Sequence, residues 1–150
     1  MNEYFKDINF EKFSGCTIIL DIDGTLTYDK GLVVDQEAKS KLLELKKNNL
    51  VYLFSNHRVG GRNQDLARDL DIKLLESQYK KPNKKIIESL PENQKGNLVV
   101  IGDKFLVDGI FAKRIGAKFI KVKRIVHQDD EPLIKLLYLL DNIANFFLGN

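Results

Sequence analysis

A single cysteine, Cys16, stands among the 150 residues, so no disulfide closes within the chain and no thiolate zinc site can be assembled. Cys16 precedes an apolar run and reads as a small core residue. No stretch approaches the roughly 20 uninterrupted apolar residues of a membrane-spanning helix. Charge of one sign is not in excess either. The net charge is +3, and the lysines and arginines fall in separate clusters, Lys80, Lys81, Lys84 and Lys85 in one and Lys121, Lys123 and Arg124 in another. Such clusters read as solvated faces rather than as a stripe for nucleic acid, and no nucleic-acid partner is expected. The N-terminus, MNEYFKDINFEKF, has neither the apolar segment of a signal peptide nor an Arg-rich transit pattern. It leads to the expectation of a cytoplasmic protein. Repeats, low-complexity tracts and convincing linkers are absent, and the length suits one domain over residues 1–150.

What is present alternates. Apolar runs at Thr17–Leu20, Leu50–Phe54, Leu98–Ile101 and Phe119–Val122, with a weaker one at Lys73–Leu75, read as buried strands. They are continuous rather than alternating, as parallel strands covered on both faces should be. Helical patterns lie between them. Asp35 is placed to cap a helix presenting Ala38, Leu42 and Leu45, with Asn48-Asn49 at its end. Leu66, Ala67 and Leu70 follow Gly60-Gly61 as a second stripe. Pro82 suits the first turn of a helix carrying Ile86, Ile87 and Leu90. Val107, Ile110, Phe111 and Ile115 form another stripe, stopped by Gly116. The alternation predicts a three-layer α/β/α fold around a parallel sheet.

The final segment, residues 132–148, is apolar almost all round a helix, interrupted by Lys135, Asp141, Asn142 and Asn145. Leu133, Leu136, Leu137, Leu140, Ala144 and Phe147 share one face, and Leu139 and Phe146 lie on the other. One face is expected to pack on the domain and the other to meet a second subunit or a membrane surface.

In open parallel sheets, ligands bind beyond the carboxyl ends of the strands. Asp21-Ile22-Asp23-Gly24-Thr25 follows the first run, Ser55-Asn56 the second, Lys81-Pro82 the weak one, and Gly102-Asp103 the next, with Asp108 beyond it. Each alone has an innocent reading as a turn or a helix cap. Together they bring carboxylates, a hydroxyl and an ammonium to one edge.

These residues resemble the haloacid dehalogenase superfamily of aspartate-nucleophile phosphatases. The apolar strand with DxDGT is matched by Ile18 through Thr25, the strand ending in Ser or Thr by Tyr52 through Ser55, the lysine by Lys81, and GDxxxxD by Gly102-Asp103 through Asp108. The resemblance implies a Rossmann-like fold and Mg2+-dependent hydrolysis of a phosphomonoester through a phospho-aspartyl intermediate. It implies Asp21 as nucleophile, Asp23 as acid and base, and Lys81 as the neutralising cation. Ser55 and the backbone near Asn56 and Gly24 would hold the phosphoryl oxygens. The Mg2+ ligands would be the Asp21 and Asp103 carboxylates and the Asp23 backbone carbonyl, with Asp108 in support. His57, beside that pocket, reads as a local hydrogen-bonding residue.

About thirty residues separate Asp23 from Ser55, and fewer separate Ser55 from Lys81, too few for a large cap domain. An open site suits a bulky or membrane-surface substrate. Ser55-Asn56-His57-Arg58-Val59, Lys80-Lys81-Pro82 and the run from Val100 to Gly116 resemble the capless phosphatidylglycerophosphate phosphatase-like group (subfamily IIIA). Gly24, His57 and Val107 stand where that group usually has Asn, Asn and Thr, which leaves the substrate open. A capless ulosonate-8-phosphate-type sugar phosphatase acting as an oligomer is the alternative among enzymes. A receiver domain would place Lys-Pro after its last strand, and an inactive scaffold would have lost one of Asp21, Asp23, Lys81 or Asp103.

Overall fold

The computed structural model describes residues 3–58, 60–128 and 132–149; Val59, part of one sequence match, lies outside them. Five parallel strands form the sheet: β1 (Thr17–Leu20), β2 (Leu50–Leu53), β3 (Lys73–Leu74), β4 (Leu98–Gly102) and β5 (Lys118–Lys121), in the order β3-β2-β1-β4-β5. β1 is central, with Leu20 opposite Leu53 on one side and Ile101 on the other. The order changes direction across the β1–β4 pair, so the crevice for a ligand opens at the carboxyl ends of these two strands.

Side-chain alternation divides the core between the two faces. Ile18, Leu20, Leu53, Val99 and Ile101 pack beneath α1 (Gln36–Lys46) and α2 (Arg62–Asp69). Ile19, Tyr52, Phe54 and Val100 pack beneath α3 (Ile110–Ile115) and a 3-10 segment, Lys84–Ser89. The sheet is thus the middle of three layers, and among the described residues no separate large cap stands over it. The Asp35 carboxylate accepts the Ala38 N–H and caps α1, while Asn49 donates to the Leu45 carbonyl at its far end. Gly116, with φ 68°, closes α3 in the left-handed conformation.

Two expectations need correction. Pro82 does not open an α-helix. The Lys81–Pro82 peptide is cis, and Asn83 instead caps the 3-10 segment by accepting the Lys85 N–H. The stripe beginning at Val107 is not one α-helix either. Phe105–Gly109 forms a wide π turn before α3, with the Asp108 and Gly109 N–H groups both reaching the Lys104 carbonyl. The widened turn sets Asp108 against Gly102, where an added Cβ would lie 2.4 Å from the Asp108 carboxyl.

The last helix, α4 (Pro132–Leu148), departs furthest from expectation. Neither of the two apolar faces packs: Leu133, Leu136, Leu137, Leu140 and Phe147 of one are exposed, as are Leu139 and Phe146 of the other. The docked stripe contains Tyr138 and Asp141, one helical turn apart, with Ile134 partly buried one turn before them. Asp141 is 3% exposed; its carboxylate accepts the N–H groups of Phe105 and Leu106 and pairs with Lys121 Nζ at 2.6 Å. The Tyr138 hydroxyl accepts the Arg124 N–H. Desolvating polar groups gives stability only when each is satisfied, and here they are. The polar interruption holds the helix.

Candidate active site

Asp21 leaves the end of β1, and the chain then turns tightly, with the Thr25, Leu26 and Thr27 N–H groups converging on the Ile22 carbonyl. Gly24 makes the turn possible. Its φ is +83°, and a Cβ there would lie 2.4 Å from an Asp103 carboxylate oxygen. Its N–H donates to the Thr27 carbonyl.

Lys81 is fully buried between carboxylates. Its Nζ lies 2.5 Å from Asp21 Oδ1 and 2.6 Å from Asp108 Oδ1. Asn56 fixes it there, since the Asn56 side chain donates to the Lys81 carbonyl and accepts the Lys81 N–H. Burial pulls the ammonium down, but Asp108 and Asp21 outweigh it and hold Lys81 above its ordinary value.

The carboxyls respond to the same burial. Desolvation pushes Asp21 up to about 6 against the pull of Lys81, with Asp108 adding to the rise. It pushes Asp103 up to about 6 against Lys104 and Arg124, and raises Asp108 against Lys81. Asp23 goes the other way. Burial raises it, but the Ser55 hydroxyl, the Lys30 N–H and the Arg62 guanidinium together hold it below the usual carboxylate range.

Arg62 and Arg124 were not among the expected site residues. Arg62, at the start of α2, is buried; it pairs with Asp23 at 2.9 Å and donates to the Gly31 carbonyl and the Thr27 hydroxyl. It therefore ties the acid/base candidate to the loop after β1. No motif marks it. Arg124 follows β5 and pairs with Asp103 Oδ2 at 2.7 Å. With Lys81 and Lys121 it is buried in ion pairs, so the solvated-face reading fails for these three. The rule that ligands lie beyond strand ends, carried one strand further, marks Arg124.

Oxygens of Asp21, Asp103 and Asp108 lie within 4.8 Å of one another, a donor set that fits a hard divalent cation. Among the described residues the buried Asp103 Oδ1 finds no hydrogen-bond partner, as an oxygen reserved for a metal would. The Asp23 carboxylate is turned to Ser55 and Arg62 and is not part of that group. The sequence therefore brought together the residues this edge assembles: Asp21, Asp23, Ser55, Asn56, Lys81 and Asp108 line an open cavity of about 190 Å³, and Asp103 lies beside it. A larger cavity, about 540 Å³, shares Ser55 but holds none of the site carboxylates. His57 also lines the smaller cavity; its N–H donates to Ser55 Oγ, and its Nε2 is buried.

Residues 5–127 match the family model described as mitochondrial PGP phosphatase. The chain belongs to this family. It is accordingly a phosphatase, and α4 lies beyond the matched residues. The family's mitochondrial setting overturns the expected cytoplasmic location, which rested on an N-terminus that resembles neither a signal nor a transit peptide. No curated protein sequence matches the chain significantly. Among solved structures, an uncharacterized protein from Listeria monocytogenes serotype 4b is similar, with a TM-score of 0.57 and 21% identity over 78% of this chain and 85% of that one. That likeness concerns the fold.

Proposed function

We propose that this phosphatase hydrolyses the terminal phosphomonoester of phosphatidylglycerophosphate by transfer to Asp21, with Mg2+ as cofactor. The observation that carries the reading is the pairing of the buried Lys81 with Asp21 and Asp108 beside the unpartnered Asp103 oxygen. Mg2+, held by the Asp21 and Asp103 carboxylates and the Asp23 backbone carbonyl, would offset the charge of the phosphate dianion. Asp108 supports the site through Lys81.

Lys81 holds one Asp21 oxygen, and the other attacks phosphorus as the bond to the glycerol oxygen breaks. Asp23 protonates that leaving oxygen. As a carboxylate it then takes a proton from water, which attacks phosphorus and frees Asp21 and inorganic phosphate. Ser55 and the Asn56 N–H are the donors for the phosphoryl oxygens. The Ser55 hydroxyl now donates to Asp23 at 2.7 Å. Turning it to phosphate removes one of the groups holding Asp23 low, which favours the protonated form needed for the first step. The uncapped edge leaves room for a substrate whose glycerol carries acyl chains.

Phosphate release from phosphatidylglycerophosphate in mixed micelles, with Mg2+ or with chelator, tests the reading. Mg2+-dependent release exceeding that from ulosonate phosphates is expected. No release from the lipid, or preference for the sugar phosphate, contradicts it.

A further inference from the structure

α4 is amphipathic in the reverse of the usual sense. Asp141 faces the protein and Asn142 and Asn145 are partly covered, while Leu136, Leu140, Ile143 and Phe147, spaced four, three and four apart, form a stripe turned outward. Leu133, Leu139 and Phe146 widen it, Phe146 being 76% exposed. An apolar face of this breadth is rare on a protein surrounded only by water. Among the described residues no helix is long and apolar enough to cross a membrane. Asp141 and Tyr138 fasten the middle of α4 against the domain.

The face continues into the catalytic mouth. Ile134 and Leu137 of α4, with Leu106 and Val107, line a groove of about 380 Å³. Asp29, Lys104 and Val107 line both this groove and the catalytic cavity. Cations stand at this edge: Lys104 lines the catalytic cavity, Lys30 gives its N–H to Asp23 beside it, and Arg58 lines the larger cavity that shares Ser55. Lys135 adds another on α4. Acidic groups are interspersed with them, Asp29 in the catalytic cavity and Glu76 in the larger one, while Asp21, Asp23 and Asp108 of the catalytic cavity are buried and paired with Lys81 or Arg62. An apolar face beside a cationic rim matches an anionic phospholipid surface, apolar below and negative at the headgroups. A second copy would offer the same cationic rim.

We infer that α4 seats the enzyme on an anionic phospholipid bilayer, its Leu136–Phe147 stripe in the acyl region and the catalytic mouth over the headgroups. This rests on the phospholipid reading of the active site, and names the element that brings that site to its substrate.

The test uses the full chain and Leu140→Glu/Ile143→Glu, two positions outside the groove. Co-sedimentation is measured with vesicles of phosphatidylcholine alone and of phosphatidylcholine mixed with phosphatidylglycerol. The unsubstituted protein should sediment with the mixed vesicles and far less with phosphatidylcholine. The double substitution should weaken that partition by about 10-fold or more, since burying either aliphatic side chain is worth at least such a factor. Failure to sediment with mixed vesicles, or equal sedimentation of both proteins, overturns the proposal. So does a dimer in sedimentation equilibrium that the substitutions convert to monomer, because a second copy then covers the face. Hydrolysis of a water-soluble aryl phosphate is read in the same samples. Its absence from the unsubstituted protein contradicts the phosphatase reading, while the vesicle partition still decides the docking.

Discussion

Asp23 and Asp21 sit two residues apart at the end of one strand, yet their surroundings drive them in opposite directions. Asp21 is desolvated between Lys81 and Asp108 and rises to about 6. Asp23 accepts hydrogen bonds from Ser55, Lys30 and Arg62 and is held low. The proposed nucleophile is thus the carboxyl that a bound cation must hold ionised, and the proposed acid is the one that must lose a hydrogen-bond donor to carry its proton. The DxDGT spacing shows that both carboxylates belong to the site. It does not show what each one touches, because Arg62 arrives from α2, 39 residues along the chain from Asp23. Arg62 is therefore expected to position Asp23 without touching the phosphoryl group. Arg62→Met should lower turnover of an aryl phosphate by about 10-fold or more, toward the scale of a lost acid or base. Arg62→Lys should recover part of the loss, with little change in KM for either variant. Unchanged turnover in Arg62→Met, or a change confined to KM, would show that the ion pair does not serve catalysis.

At the scale of elements, apolar runs identified all five strands within a residue or two; β1 and β4, buried throughout, leave little choice of residue, while the two-residue edge strand β3 gave the weakest signal. Two departures have local causes. The Lys81–Pro82 peptide is cis, and Asn56 holds Lys81 from a distant segment, a contact that no local pattern records. The turn at Phe105–Gly109 is widened to bring Asp108 onto Lys81. α4 was legible as a helix but not in its orientation. Its apolar count suggested that an apolar face would pack, whereas Asp141 directs it by satisfying two N–H groups and Lys121. Asp141→Ala leaves Lys121 buried without its partner and should destabilise the protein by about 3 kcal/mol or more. Urea unfolding of the full chain measures this. A loss under about 1 kcal/mol, the range of a surface ion pair, would mean that Asp141 does not anchor α4.

Across the whole molecule, the catalytic edge gathers buried carboxylates that stay protonated to about pH 6 when no metal is bound. The unfolded chain ionises the same groups near about pH 4. Between these values the folded state binds more protons, so stability falls as pH rises through the window and the full penalty is present above it. Asp108 acts in the same direction; Asp23, held low, loses its stabilising contribution only under more acidic conditions. In chelator, the melting temperature should therefore be higher near about pH 5.5 than near about pH 7. Mg2+ should raise it most at the higher pH, where the carboxylates are ionised to receive it. A melting temperature that falls on acidification in chelator, or ignores Mg2+ at neutral pH, would contradict this account of the acidic cluster.

The central claim is that phosphate passes through Asp21 with Asp23 completing the cycle. The most direct measurement is mass spectrometry of the peptide containing residue 21 after rapid quenching of Asp23→Asn with Mg2+ and an aryl phosphate, whose leaving oxygen departs without a proton. The amide of that variant leaves the backbone carbonyl in place but can neither protonate the leaving oxygen nor activate water. Turnover should drop by roughly 10²-fold. The account predicts a hydroxylamine-sensitive phosphoryl group on Asp21 in that variant, and neither the group nor phosphate release when Asp21→Asn is introduced. Phosphate release by Asp21→Asn at a rate near that of the unsubstituted enzyme would contradict it.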